Sequence, residues 1–148
     1  MRGRWRAEAR KREGGRRGAI VDSIKSDLAP GARVAMKEEI RRAVAFAVLA
    51  PQDGNRDCEI YSYERDRRSK FSGNSNDFLD YDAGARVTRF GPDLYHYGLW
   101  HYVSLTVGEE SFSGYDHGSK CHFEGVVKGM TVQLYDHGEG RYFDYGAS

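Results

Sequence analysis

The strings Tyr115-Asp116-His117-Gly118 and Tyr135-Asp136-His137-Gly138 stand twenty residues apart, each setting a phenol, a carboxylate and an imidazole beside one glycine. The match runs on, with His122-Phe123-Glu124 answering Tyr142-Phe143-Asp144, and Tyr95-His96-Tyr97-Gly98 lies twenty residues before the first copy. A looser copy, Tyr81-Asp82-Ala83-Gly84, comes fourteen residues earlier still.

Three chemistries are open to this motif. As a metal site, His117, Cys121 and His122 are competent ligands within one hairpin. Cys121 and His122 are neighbours in an extended segment, however, and point to opposite faces. His117 and His137 belong to successive hairpins roughly 10 Å apart, too far to share one ion. As a hydrolytic site, Asp116 with Glu124, or Asp136 with Asp144, would pair carboxylates across a hairpin. As turn chemistry alone, Asp or His bonds backbone N–H groups two residues on, and glycine takes the positive φ of a bulged hairpin. The last needs no ligand.

The rings supply a second kind of site. All ten tyrosines lie between Tyr61 and Tyr145, with six of the seven phenylalanines. So many phenols cannot all be core, because each hydroxyl needs a partner or water. A face or rim bearing Tyr95, Tyr97, Trp100, Tyr115, Tyr135 and Tyr142 is suited to a sugar, a peptide or another protein. The competing arrangement is cross-strand covering of ring by ring, without a ligand.

Positive charge supplies a third. Residues 1–18 hold eight basic side chains (Arg2, Arg4, Arg6, Arg10, Lys11, Arg12, Arg16 and Arg17) against two acidic ones, while residues 51–148 hold ten against sixteen. The net +1 is therefore a basic leader set against an acidic body. Nucleic acid or another polyanion would be met by the leader, helped by Arg65, Arg67 and Arg68 in a polar connection over 64–77. The leader also reads as a solvated tail, or as an extension ahead of a later start at Met36.

The elements that must position these groups follow from periodicity. Ile20, Val21, Ile24 and Leu28 predict a short helix stopped at Pro30-Gly31. Met36, Ile40, Val44 and Val48 predict a second helix over about 32–49, with Lys37, Glu38, Arg41 and Arg42 on its other side. From Asp57 the period becomes two, and short strands separated by glycine turns predict an antiparallel meander. The expected fold is α+β: a disordered leader (1–18), then one domain (19–148) in which two helices (19–50) pack on a sheet of six to nine strands (57–148), with partial closure as a barrel the alternative to an open sheet.

No Gly-x-Ser-x-Gly, Gly-x-x-x-x-Gly-Lys, His-Glu-x-x-His or Cys-x-x-Cys is present, and no cofactor is implied. The longest apolar run, Ala43 to Ala50, is far short of the roughly 20 residues of a membrane helix. The expected compartment is cytoplasmic. The alternative is export from a start at Met36, whose charged and apolar stretches loosely follow a secretory pattern. Cys58 and Cys121 leave pairing open. The expected function is a non-catalytic binding module using the aromatic face or the Tyr-led rim, with unknown partners. The alternatives are nucleic-acid association through the leader and a metal or hydrolytic site at the His-bearing turns.

Overall fold

A computed structural model describes residues 35–148. One helix, α1 (Glu38–Leu49), precedes ten strands: β1 (Arg56–Ser62), β2 (Arg67–Asn74), β3 (Asp77–Asp80), β4 (Ala85–Phe90), β5 (Asp93–His96), β6 (His101–Val107), β7 (Ser111–Asp116), β8 (Cys121–Lys128), β9 (Thr131–Asp136) and β10 (Arg141–Ala147). Each strand pairs antiparallel with the next, and β1 closes on β10 through Ile60↔Ala147, Tyr61↔Gly146 and Ser62↔Tyr145.

The α+β expectation is overturned: the described chain is nearly all sheet, a closed ten-stranded barrel with one short helix, not two helices on a meander. The expected helix over residues 20–28 and the leader lie outside the described residues. The expected connection over 64–77 holds a whole strand, β2, whose inward positions are Ser69, Phe71 and Gly73. Only one of those three is large and apolar, so the stretch does not read as a strand.

The helix is inside the barrel. Its first turn carries Glu38 and Glu39 at the positive end of its dipole, and it stops where the Ala50 N–H bonds Phe46 O ahead of Pro51. Ile40, Val44, Ala45 and Phe46 are fully buried, and Arg41 and Arg42, which the periodicity placed on an outer side, are buried nearly as deeply. Phe46 stacks on Phe71 with centroids 5.0 Å apart and meets Phe78 at 4.8 Å. The same core takes Ile60, Val87, Leu94, Leu105, Phe123, Leu134 and Phe143 from the inner wall. A barrel this size has room for side chains or a ligand; here α1 is the filling.

Two strand glycines make the wall fit its contents. Gly114 pairs with Phe123, Phe112 pairs with Gly125, and each phenylalanine ring lies across the glycine opposite. A Cβ at Gly114 or Gly125 would also strike a backbone carbonyl of the next strand, Ser104 O or Gln133 O. Cys58 and Cys121 form no disulfide and are buried on the inner wall, and burial pushes the Cys58 thiol up.

Candidate functional site

Five hairpin turns form one rim, and they share a construction that the sequence repeat only partly displays. The last inward residue of the incoming strand, at positions 62, 80, 96, 116 and 136, turns a side-chain acceptor back onto the turn's own N–H groups. Ser62 Oγ takes Arg65 N (3.2 Å), Asp80 Oδ1 takes Asp82 N (3.0 Å) and Ala83 N (3.1 Å), and His96 Nδ1 takes Leu99 N (3.1 Å). Asp116 Oδ1 takes Gly118 N (3.1 Å), while Asp136 Oδ1 takes Gly138 N (2.8 Å) and Glu139 N (3.2 Å). The true partner of Asp116 in the loose copy is therefore Asp80, not Asp82. A fifth copy, around Ser62, has serine in the capping place and no glycine in its turn to announce it.

The motif glycine does not supply the positive φ expected of it. That conformation falls on a later residue of each turn: Asp66 (53°), Gly84 (64°), Trp100 (62°), Lys120 (61°) and Gly140 (77°). In four of the turns this residue's N–H bonds the carbonyl of the capping residue, as Lys120 N does to Asp116 O at 2.7 Å. Gly118 is small for another reason: a Cβ there would fall on the imidazole of His101, which points at Asp116 Oδ1 from 3.1 Å.

The second oxygen of two capping carboxylates holds the helix. Asp136 Oδ2 takes Arg41 Nη1 (2.9 Å) and the Met36 N–H (3.1 Å), and Asp80 Oδ2 takes Arg42 Nε (2.7 Å). Glu38 completes this layer, accepting from Tyr145 Oη at 3.0 Å and lying 3.4 Å from Arg41. Burial, with Glu38 beside it, pushes the Tyr145 phenol far up. His96 is the neutral member of the rim. Burial depresses its pKa, and Nδ1 as acceptor places the proton on Nε2.

Around the helix entrance these groups border a polar cleft of about 690 Å³. Five arginines line it, each already facing a carboxylate: Arg41 with Asp136, Arg42 with Asp80, Arg65 with Glu38 (3.6 Å), Arg67 with Asp82 (2.6 Å) and Arg141 with Glu64 (2.9 Å). Arg67 holds the Asp82 carboxyl below its usual range, and Arg68 lies over the Tyr61 ring at 5.2 Å. The expected anion-binding arginines of 64–77 are thus engaged within the protein. The basic leader residues fall outside the described chain.

On the outer wall the rings gather in trios, one per hairpin. Tyr95 meets Tyr97 at 4.8 Å and Tyr102 at 4.7 Å; Tyr115 meets His117 at 4.9 Å and His122 at 4.8 Å; Tyr135 meets both His137 and Tyr142 at 4.8 Å. All are near-perpendicular contacts, the geometry aromatic quadrupoles favour. Tyr115 and Tyr135 are half-buried, and Tyr142 is exposed. The β5–β6 hairpin is the most open: Trp100, at its tip, is 75% exposed, Tyr102 45% and Tyr97 40%. Between the first two trios runs a chain in which Ser104 Oγ donates to Asp93 (2.7 Å) and accepts from His117 Nε2 (3.0 Å). With its proton on a carboxylate and the imidazole acting as donor, Ser104 is not arranged as a nucleophile.

The remaining expected constellations do not assemble. Cys121 faces the core while His122 joins the outer trio, and no three His, Cys, Asp or Glu side chains gather as a metal set among the described residues. Asp116 and Asp136 face inward, whereas Glu124 and Asp144 pair with Ser113 and Gln133 at outward positions, so neither carboxylate pair shares a face. The Ser104 chain and the Arg–Asp links to the helix went unseen in the sequence. Their one signal is a polar residue recurring where each strand should end apolar.

No described helix is long and apolar enough to cross a membrane. The outer wall carries Lys70, Arg86, Ser104, Glu124 and Gln133, the reverse of a lipid-facing barrel surface. Comparison with family models, curated proteins and solved structures finds no match, so the geometry alone carries the functional assignment.

Proposed function

We propose that the protein is a non-catalytic binding module that meets its ligand on the outer aromatic wall, at the β5–β6 hairpin. One observation carries this: Trp100 is 75% exposed while its backbone is held in the left-handed region. A bulky side chain in that conformation costs roughly 1–2 kcal/mol, and burial of the ring returns nothing in the free protein. Of the five equivalent turns, this one alone spends that conformation on an aromatic ring left in solvent. Tyr97 and Tyr102 extend the surface, and Asp93, Ser104 and His117 beside it add hydrogen-bonding groups. Flat apolar area bordered by acceptors suits the ring face of a sugar or a peptide side chain. The entrance cleft is larger, but its charges answer one another.

The test uses Trp100 as its own reporter. In a Trp5→Phe background, fluorescence is titrated with neutral oligosaccharides and with uncharged peptides. A saturable blue shift, abolished by Tyr102→Ala, supports the assignment. A spectrum unmoved by both panels sinks it.

A further inference from the structure

The barrel seam carries a second site, on the far side from Trp100 and independent of it. Two rows of outward residues cross three strands here. Asp144, Gln133 and Val126 form one row, and Gly146, Thr131 and Lys128 the next. Glycine and threonine leave the surface low, and the Tyr63 side chain bounds it, giving a groove of about 310 Å³ lined by Tyr63, Val126, Lys128, Thr131, Gln133 and Asp144. That volume lies at the lower end of the small-molecule range.

The groove contains an unanswered acceptor. Asp144 Oδ1 is shut from solvent and has no hydrogen-bond partner. A buried oxygen without a donor is disfavoured by roughly 1–3 kcal/mol, and such atoms are few in native proteins. Elsewhere on the wall the equivalent residue is served by a ring from the neighbouring turn, as His117 serves Ser104 at 3.0 Å. At the seam that ring belongs to Tyr63, whose N–H bonds the Asp144 carbonyl at 3.1 Å. Its phenol runs along Gly146 instead, where a Cβ would stand 3.4 Å from the Tyr63 hydroxyl.

We propose that the seam groove binds a small zwitterion of the di- or tripeptide type. An ammonium end draws the Asp144 carboxylate round to meet it, and an apolar side chain lies on Val126 and the Tyr63 ring. A carboxylate end reaches Lys128, two strands across and two residues along, and so roughly 12 Å away. An extended chain covers about 3.3–3.6 Å per residue, so two or three residues span that distance with the reach of the lysine.

The test is an amide chemical-shift titration of the isotopically labelled full chain with Gly-Leu-Gly, its N-acetylated form and its C-terminal amide. Saturable shifts at Tyr63, Val126 to Gln133 and Asp144 to Gly146 are expected with the free peptide. Binding weakens about tenfold or more when either terminus is blocked, and likewise in Asp144→Asn and Lys128→Met. Because Asp144 Oδ1 has no partner to lose, Asp144→Asn keeps the parent Tm, and unchanged Tm in both variants separates lost binding from lost folding. Absence of groove shifts at about 10 mM peptide, or equal affinity for free and acetylated peptide, overturns the proposal.

Discussion

Arg41 and Asp136, 95 residues apart in the chain, meet at 2.9 Å with both side chains buried, and the same carboxylate caps the β9–β10 turn through its other oxygen. One side chain thus ties a hairpin to the helix within the barrel. Removing either partner strands a buried charge, which is strongly destabilising, about 3–5 kcal/mol. Asp136→Ala is expected to lose at least as much as Arg41→Ala, since it also frees the Met36, Gly138 and Glu139 N–H groups. Urea unfolding of the two variants checks the order.

His96 makes stability depend on pH. Burial lowers its pKa below the ordinary 6.5, so the unfolded chain takes up the proton first. The contribution is present above about pH 6.5 and lost as pH falls from there towards the folded-state value. Asp80, Glu39, Arg42 and His101 are the charged or titratable neighbours that modulate it. His96→Asn keeps an acceptor for the Leu99 N–H and removes the titration. Its Tm is expected to stay flat over the interval in which the parent's declines. Parallel slopes would exclude His96 as the source.

Trp100→Gly separates stability from binding. Glycine relieves the left-handed strain at some cost in chain entropy, leaving a net gain of about 0.5–1 kcal/mol, while the exposed ring that meets the ligand is gone. Equivalent turns already use Gly84 and Gly140. A rise in Tm together with loss of ligand response is the expected pair of results.

Gly118→Ala tests the packing role of the motif glycine. The new methyl group pushes His101 off Asp116, with an expected loss of about 1 kcal/mol. In a His101→Ser background the same substitution should be close to neutral. A double-mutant cycle by thermal melting measures the coupling, and an undiminished loss in the second background would place the strain in the backbone.

The β-periodicity was legible wherever inward positions were large and apolar, as at Val103 and Leu105 or Val132 and Leu134. It failed at β2, where inward Ser69 bonds Asp82 and Gly73 is closed in by the Asp77 carbonyl and Phe78. Closure was illegible because pairing of β1 with β10 rests on three residue pairs with no local signal. Arg41 and Arg42 read as a solvent face, since a sequence shows charge but not the carboxylates that fold in to meet it. Tyr95, Tyr97, Trp100, Tyr115, Tyr135 and Tyr142 are exposed or half-buried. The cooperation of Tyr95 with Tyr102, or Tyr135 with Tyr142, needed the register.

A barrel whose first strand closes on its last, around a helix synthesised before either, is constrained in time as well as in space. While the chain leaves the ribosome, Phe46 and Arg42 meet Phe71, Phe78 and Asp80 early, but Arg41 waits for Asp136 and the final strand. Every strand pair but one joins sequence neighbours and forms locally, so the β1–β10 pairing alone among them spans most of the described chain. Closure is then a single late event that captures the helix, and interruption before Ala147 releases a polypeptide whose most apolar segment lies at the opposite end from the cut.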